Sequence, residues 1–143
     1  MPSIKYTNSP TSDEISILTD GLREYNKEHG MDSQKTSMFY IEHDGKIVAG
    51  CLMKKAHNNL HIDHLWVDKC FRKCGYGTEL MMLAETYAKE QGCTLITVFT
   101  MSWHAPEFYK KLGYRVEFER SGYPKDTSLY MMRKDIDGTC EQA

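Results

Sequence analysis

Apolar residues along the chain follow two rhythms. In residues 11–29, Ile15, Leu18, Leu22 and Tyr25 recur at steps of three and four, which puts them on one face of a helix. Thr11 or Ser12 can cap its start, Asp13 and Glu14 suit the positive end of its dipole, and Gly30 supplies a stop. A polar connection over residues 31–37 leads into β-type runs at 37–42 and 46–53. Asp44-Gly45 between them is a hairpin signal, because both residues tolerate positive φ. Residues 56–59 read as a second turn and 60–67 as a third strand of the same meander. Alternation along that strand predicts His61, Asp63, Leu65 and Val67 on one face, with Leu60, Ile62, His64 and Trp66 on the other.

After Val67 the pattern changes. Residues 68–77 are polar, basic and glycine-containing. A helix follows from Thr78 to about Gln91, with Leu80, Leu83, Ala84 and Tyr87 on one face and Gly92 as its stop. Residues 94–100, rich in β-branched side chains, form a strand. A short helix runs from near Ala105 to Leu112 and Gly113 ends it; Pro106 suits its first turn, where no helical N–H is needed. Residues 115–120 and 128–133 are two last strands, joined through Ser121-Gly122-Tyr123-Pro124, and the tail from Asp135 is expected to fray. Without repeat or linker, residues 1–143 read as a single α/β domain with a mixed sheet, and the central strand–loop–helix–strand unit is a crossover between parallel strands.

Composition narrows the function classes. The 143 residues are 41% hydrophobic and 27% charged, which is globular composition. Eighteen Lys and Arg against twenty Asp and Glu give a net charge of −2, which disfavours a nucleic-acid binder. No apolar run is long enough for a membrane span, and the polar first ten residues do not read as a secretory signal. Five cysteines without a regular framework read as reduced thiols in a cytoplasm.

Most of the candidate chemistry lies in Arg72-Lys73-Cys74-Gly75-Tyr76-Gly77, between a strand and a helix. Glycines there let the backbone turn tightly and approach a ligand, and the following helix adds unpaired N–H groups and a positive dipole end. Together they suit phosphate oxygens, with Lys69, Arg72 and Lys73 adding charge. A nucleotide-triphosphate loop would need Lys after its last glycine, and a dinucleotide fingerprint would need glycine where Leu80 stands. What remains is the spacing R-x-x-G-x-G after Leu65-Trp66-Val67, set against a plain turn. A metal reading of His57, His61, His64, Cys70 and Cys74 fits no common zinc spacing, so no metal is expected.

With that loop, the later run Ala105-Pro106-Glu107-Phe108-Tyr109-Lys110-Lys111-Leu112-Gly113-Tyr114 makes the chain resemble the GNAT superfamily of N-acetyltransferases, from the first helix to the last strand. The run is similar to that family's A-x-x-[LF]-Y-x-x-x-G-[FY] segment. The resemblance implies a mixed, twisted central sheet flanked by helices and acetyl-CoA as co-substrate. Its diphosphate would lie on the backbone of Arg72, Lys73, Cys74, Gly75, Tyr76, Gly77 and Thr78, and its acyl end along Leu65 and Val67. Ser102 stands where the family often has Asn, which implies a weaker bond to the pantetheine arm.

The implied reaction is attack of an amine on a thioester carbonyl. An alkylammonium with pKa ~10.4 must lose its proton first, at a cost of roughly 4.6 kcal/mol at neutral pH unless the site helps. The resemblance gives the oxyanion donor as the backbone N–H of Val67 and the acid for the departing thiolate as Tyr109, against packing alone. Asp63 and His61 are the candidate bases, against two polar residues lining an open cleft. The acceptor, a small-molecule or protein amine, would meet the first helix, residues 31–37 and residues 121–126. A CoA-binding module that transfers nothing and a transferase for another acyl group are the alternatives, and a homodimer is compatible with all three.

Overall fold

The computed structural model describes residues 1–31, 34–103 and 106–136. The chain divides into two compact units, Met1–Ser33 and Gln34–Ala143. In the first, α1 (Ser12–Glu28) begins with a reciprocal cap. The Thr11 hydroxyl accepts from the Glu14 N–H at 3.1 Å, and the Glu14 carboxylate accepts from the Thr11 N–H at 2.8 Å, satisfying two otherwise orphaned donors.

The second unit is a six-stranded mixed sheet in the order β1-β2-β3-β4-β6-β5. Its strands are β1 (Lys35–His43), β2 (Lys46–Ala56), β3 (Asn59–Val67), β4 (Leu95–Met101), β5 (Arg115–Tyr123) and β6 (Thr127–Asp135). The expected hairpin turn is present, with Asp44 at φ 52° and Gly45 at φ 76°. Among the described residues only β3 and β4 pair in parallel, joined by α2 (Tyr76–Glu90); α3 (Pro106–Lys111) follows β4. Among the described residues no helix is long and apolar enough to cross a membrane.

The core sits between α2 and the sheet. Ala49, Cys51 and Met53 of β2, Leu60 and Ile62 of β3, and Ile96 and Val98 of β4 are buried against Leu80, Met81, Ala84 and Ala88. The buried stripe of α2 is therefore rotated from the predicted one: Met81 and Ala88 face inward, and Leu83 is exposed. The helix also starts at Tyr76, two residues early, because Gly75 at φ 86° makes the left-handed turn that opens it.

One other boundary differs from the sequence reading. β5 continues through Tyr123, and a 3-10 turn at Pro124–Asp126 makes the join to β6. At the start of the tail expected to fray, Asp135 takes hydrogen bonds from Arg115 and Arg133, and Ile136 is buried and donates to the Thr94 carbonyl. Residues 137–143 lie outside the described residues.

The correction that matters most is in β3. Leu52 pairs with His64 but Met53 pairs with Ile62, so Asp63 is an extra residue without a partner on β2. Such a bulge reverses the phase of alternation. Leu60 and Ile62 share the α2 face with Leu65 and Val67, whose β2 partners are the core residues Cys51 and Ala49. His61, paired with Lys54, lies on the opposite face with His64 and Trp66. His61 does not share a face with Leu65 and Val67, as strict alternation predicted.

Candidate active site

Parallel pairing of β3 with β4 stops at Ile62 and Val98, at the bulge, although both strands continue. Beyond that point the sheet opens into a cleft of about 700 Å³. Ile62, Leu65, Val67, Val98, Thr100 and Tyr109 line it from the α2 side, and His64, Trp66 and Phe99 from the opposite face. The cleft is thus lined by residues from both faces of the sheet.

One wall is main chain. The Asp68 N–H donates to the Val48 carbonyl at 2.7 Å, toward β2. Amide direction alternates along an extended strand, so the N–H groups of Leu65 and Val67 point the other way, into the cleft. Val67 directs its carbonyl to the same side, where the Arg72 Nε–H donates to it at 3.0 Å. This bond holds the guanidinium at the cleft wall.

At the far end stands the start of α2. The first bond within the helix runs from Glu79 N–H to the Gly75 carbonyl at 3.0 Å, and no side chain caps the turn. The amides of Tyr76, Gly77 and Thr78 are left for a ligand. Lys73 at φ 64° and Gly75 at φ 86° both adopt left-handed backbone to turn the chain into the helix. Gly77 serves differently: a Cβ there would lie 3.3 Å from the Phe108 ring, so its bareness lets α3 close against the first turn of α2.

Arg72, Lys73, Gly75, Tyr76, Gly77 and Thr78 all border the cleft, as do Leu65 and Val67. Cys74 and Ser102 do not. The Cys74 thiol is exposed and its nearest partner is the Arg72 carbonyl at 3.6 Å. The Ser102 hydroxyl accepts from the Ser128 N–H at 3.0 Å, fastening the end of β4 to β6. Ala105, which opens the second motif, lies outside the described residues.

Tyr109 is only 8% exposed, yet it borders the cleft. Burial pushes its phenol up to about 12, with a smaller push from Cys51. Behind it Cys51 is fully buried and raised to about 12 by desolvation, so this thiol stays protonated and inert. Tyr114 packs its ring against Tyr109 at 5.9 Å, and its buried hydroxyl has no partner among the described residues.

Asp63 borders the cleft, with the Lys54 ammonium 3.5 Å and the His64 ring 3.7 Å from its carboxylate. His61 does not line it; its ring packs on Phe99, which does, at a centroid distance of 4.7 Å. Burial lowers the His61 pKa, partly offset by Asp63, so the ring is neutral at neutral pH. Sequence reasoning overlooked Phe99, Trp66 and Phe108 as walls of the site. The signal for Phe108 was available, since a bare glycine and an aromatic recur together in the two motifs. Among the described residues no cluster of three His, Cys, Asp or Glu is placed to hold a metal ion.

The model of the acetyltransferase (GNAT) family matches residues 6–114. A blasticidin-S acetyltransferase from Streptomyces morookaense is 33% identical over 93 residues, which span 64% of this chain and 68% of that protein. The crystal structure of an acetyltransferase from Bacillus cereus ATCC 14579 is similar with a TM-score of 0.75 at 33% identity, covering 92% of this chain and 98% of that one. A Bacillus anthracis acetyltransferase solved in complex with acetyl coenzyme A has a similar fold, with a TM-score of 0.64 at 22% identity over 71% of this chain and 62% of the other.

Proposed function

Because this chain belongs to the acetyltransferase (GNAT) family, we propose that it moves an acetyl group from acetyl-CoA to a primary amine by direct attack within a ternary complex. The observation that carries this reading is the split sheet, whose cleft has strand amides along one wall and bare helix amides at its end. An elongated ligand with a diphosphate at one end and an amide-rich arm fits that donor set. Bound acetyl-CoA supplies a thioester whose acyl group an amine can attack.

The chain's own residues then have separate tasks. The amides of Tyr76, Gly77 and Thr78 hold the diphosphate, with Arg72 and Lys73 adding charge. The N–H groups of Leu65 and Val67 align the arm, and Val67 is the donor for the developing oxyanion. Tyr109 gives a hydrogen bond to the sulfur as it leaves. A phenol near 12 lies about 3.5 units above a free thiol, so full proton transfer would be uphill by roughly 5 kcal/mol. Tyr109 therefore stabilises the thiolate as a donor, and solvent supplies the proton.

On the opposite face His61 takes, through a water, the proton that the amine nitrogen sheds once its attack on the carbonyl has made it acidic, and Asp63 faces the charge that results. The relative named for blasticidin S supports an aminated small molecule as the acceptor class. Free thiols at Cys70 and Cys74 suit a reducing cytoplasm.

A thiol-release assay with acetyl-CoA and a panel of small-molecule and peptide amines tests the reading. Amine-dependent release of CoA is expected, with mass spectrometry finding an N-acetyl product. Slow hydrolysis alone, with normal CoA binding, would leave only a CoA-holding module. Faster turnover with propionyl- or succinyl-CoA would reassign the acyl group.

A further inference from the structure

We propose that Thr97 and Asn59 fix the tautomer of His61, keeping its proton on Nδ1 and leaving Nε2 as the basic nitrogen. His61 and Thr97 stand opposite one another in the last stretch of β3–β4 pairing before the cleft opens. The His61 Nδ1 lies 2.8 Å from the Thr97 hydroxyl. That hydroxyl donates its one proton to the Asn59 side-chain carbonyl at 3.2 Å. A hydroxyl that has spent its proton can only accept from the imidazole. Nδ1 must then be the donor, and the lone pair resides on Nε2.

The inference rests on reading His61 as the acceptor-side base. In that step the neutral amine's electron pair has formed the bond to the carbonyl carbon, an N–H bond of the now cationic nitrogen breaks, and its proton forms a bond to Nε2 by way of a water. The electron pair of that N–H bond stays on the nitrogen. The imidazolium keeps its Nδ1–H bond to Thr97 and later loses the new proton to solvent. The wrong tautomer would present an N–H where the base is needed. Thr97 and Asn59 are thus positioning residues, acting through the ring. The charged groups facing it are Lys54 across from β2, Asp63 on β3, and Arg133 of β6 opposite Thr97; Arg133 is occupied by Asp135 and Glu117.

Long-range proton–nitrogen correlation on 15N-histidine-labelled protein, at about pH 8 where an ordinary histidine is neutral, reads the tautomer directly. His61→Gln assigns the signals. Wild type should carry the proton on Nδ1, Thr97→Val should lose that preference, and Thr97→Ser should restore it. In parallel Thr97→Val should lower kcat about 10-fold or more with the acetyl-CoA KM held within about twofold, and Thr97→Ser should recover it. If Thr97→Val does not fold, Asn59→Ala should weaken the Nδ1–H preference by freeing the hydroxyl.

A proton on Nε2 in wild type, or an Nδ1–H preference that survives Thr97→Val, overturns the relay. A tautomer that switches while kcat and its pH profile stay put overturns the positioning role. If His61→Gln also turns over normally, the base reading falls with it, while coenzyme affinity reports separately on the cleft.

Discussion

The two ends of the cleft are built from different material. Around residues 72–78 the ligand-facing groups are main-chain amides on the first turn of α2, with side chains only at the rim. Around residues 63–66 they include the side chains of Asp63, His64 and Trp66, whose placement depends on one extra residue in β3. A backbone cradle tolerates many side-chain changes but fails when a Cβ or a charge enters it. A side-chain site fails when its register or its hydrogen-bond partners change. Coenzyme affinity and turnover should therefore be separable by mutation.

Gly77→Glu should have the largest effect. Its Cβ would meet Phe108 at 3.3 Å, and a carboxylate would be brought to the place of a diphosphate. Like charges brought together cost several kcal/mol, so the CoA Kd should rise about 100-fold or more by calorimetry while the chain still melts cooperatively. Undiminished affinity would remove the α2 end from the site.

Deleting Asp63 attacks the other end by removing the bulge together with one carboxylate at the cleft. Without it, Leu60, Ile62, Leu65 and Val67 alternate strictly with His61, His64 and Trp66, so a regular strand can form and β3–β4 pairing can extend. The variant should fold and keep its melting temperature within a few degrees. Turnover should fall about 100-fold, the cost of misplacing reacting groups by about an ångström. Near-normal kcat would mean that the bulge does not shape the cleft.

Tyr109→Phe should lower kcat about 10- to 100-fold and leave the acetyl-CoA KM nearly unchanged, since the ring still packs. Because burial holds the phenol up at about 12, its ionisation cannot produce an alkaline limb below about pH 11. The stability sign is equally fixed. A folded-state pKa raised from 10.0 to about 12 means stability is kept below pH 10 and lost as pH rises toward 12. That loss amounts to roughly 3 kcal/mol for two units. Melting temperatures at about pH 9 and pH 11 should therefore fall more in wild type than in Tyr109→Phe.

Much of the architecture was legible in the chain because its signals are local. Asp44-Gly45 marks its own turn, Pro106 and Gly113 bracket a helix, and the two glycine-bearing motifs stand at fixed places in the element order. Asp63 shows where local reading slipped. The spacing of Leu60, Ile62, Leu65 and Val67 contains a step of three, which is the trace of a bulge, but alternation alone reads through it. Ser102 and His61 were opaque for another reason. Their partners, Ser128 and Thr97, are distant in sequence and are brought near only by strand pairing.

The smallest predicted effects separate the two glycines of the loop. Gly75 at φ 86° has open space where a Cβ would go, so Gly75→Ala pays only for left-handed backbone. That is about 1–2 kcal/mol, or a fall of roughly 3–8 °C in Tm, with the CoA Kd changed less than about threefold. Gly77 is inside the helix, where Ala is favoured over Gly by about 1 kcal/mol, but its Cβ must push the end of the Phe108 ring by a few tenths of an ångström. Those terms nearly cancel in stability, and the displaced ring narrows the cleft. Gly77→Ala should leave Tm within about 2 °C of wild type, because less than about 0.5 kcal/mol remains after cancellation, and should raise the acetyl-CoA KM several-fold. The two alanines should thus fail in opposite assays. If both failed in the same one, the glycines would share a single role, and the distinction between a turn-maker and a close-approach glycine would not hold here.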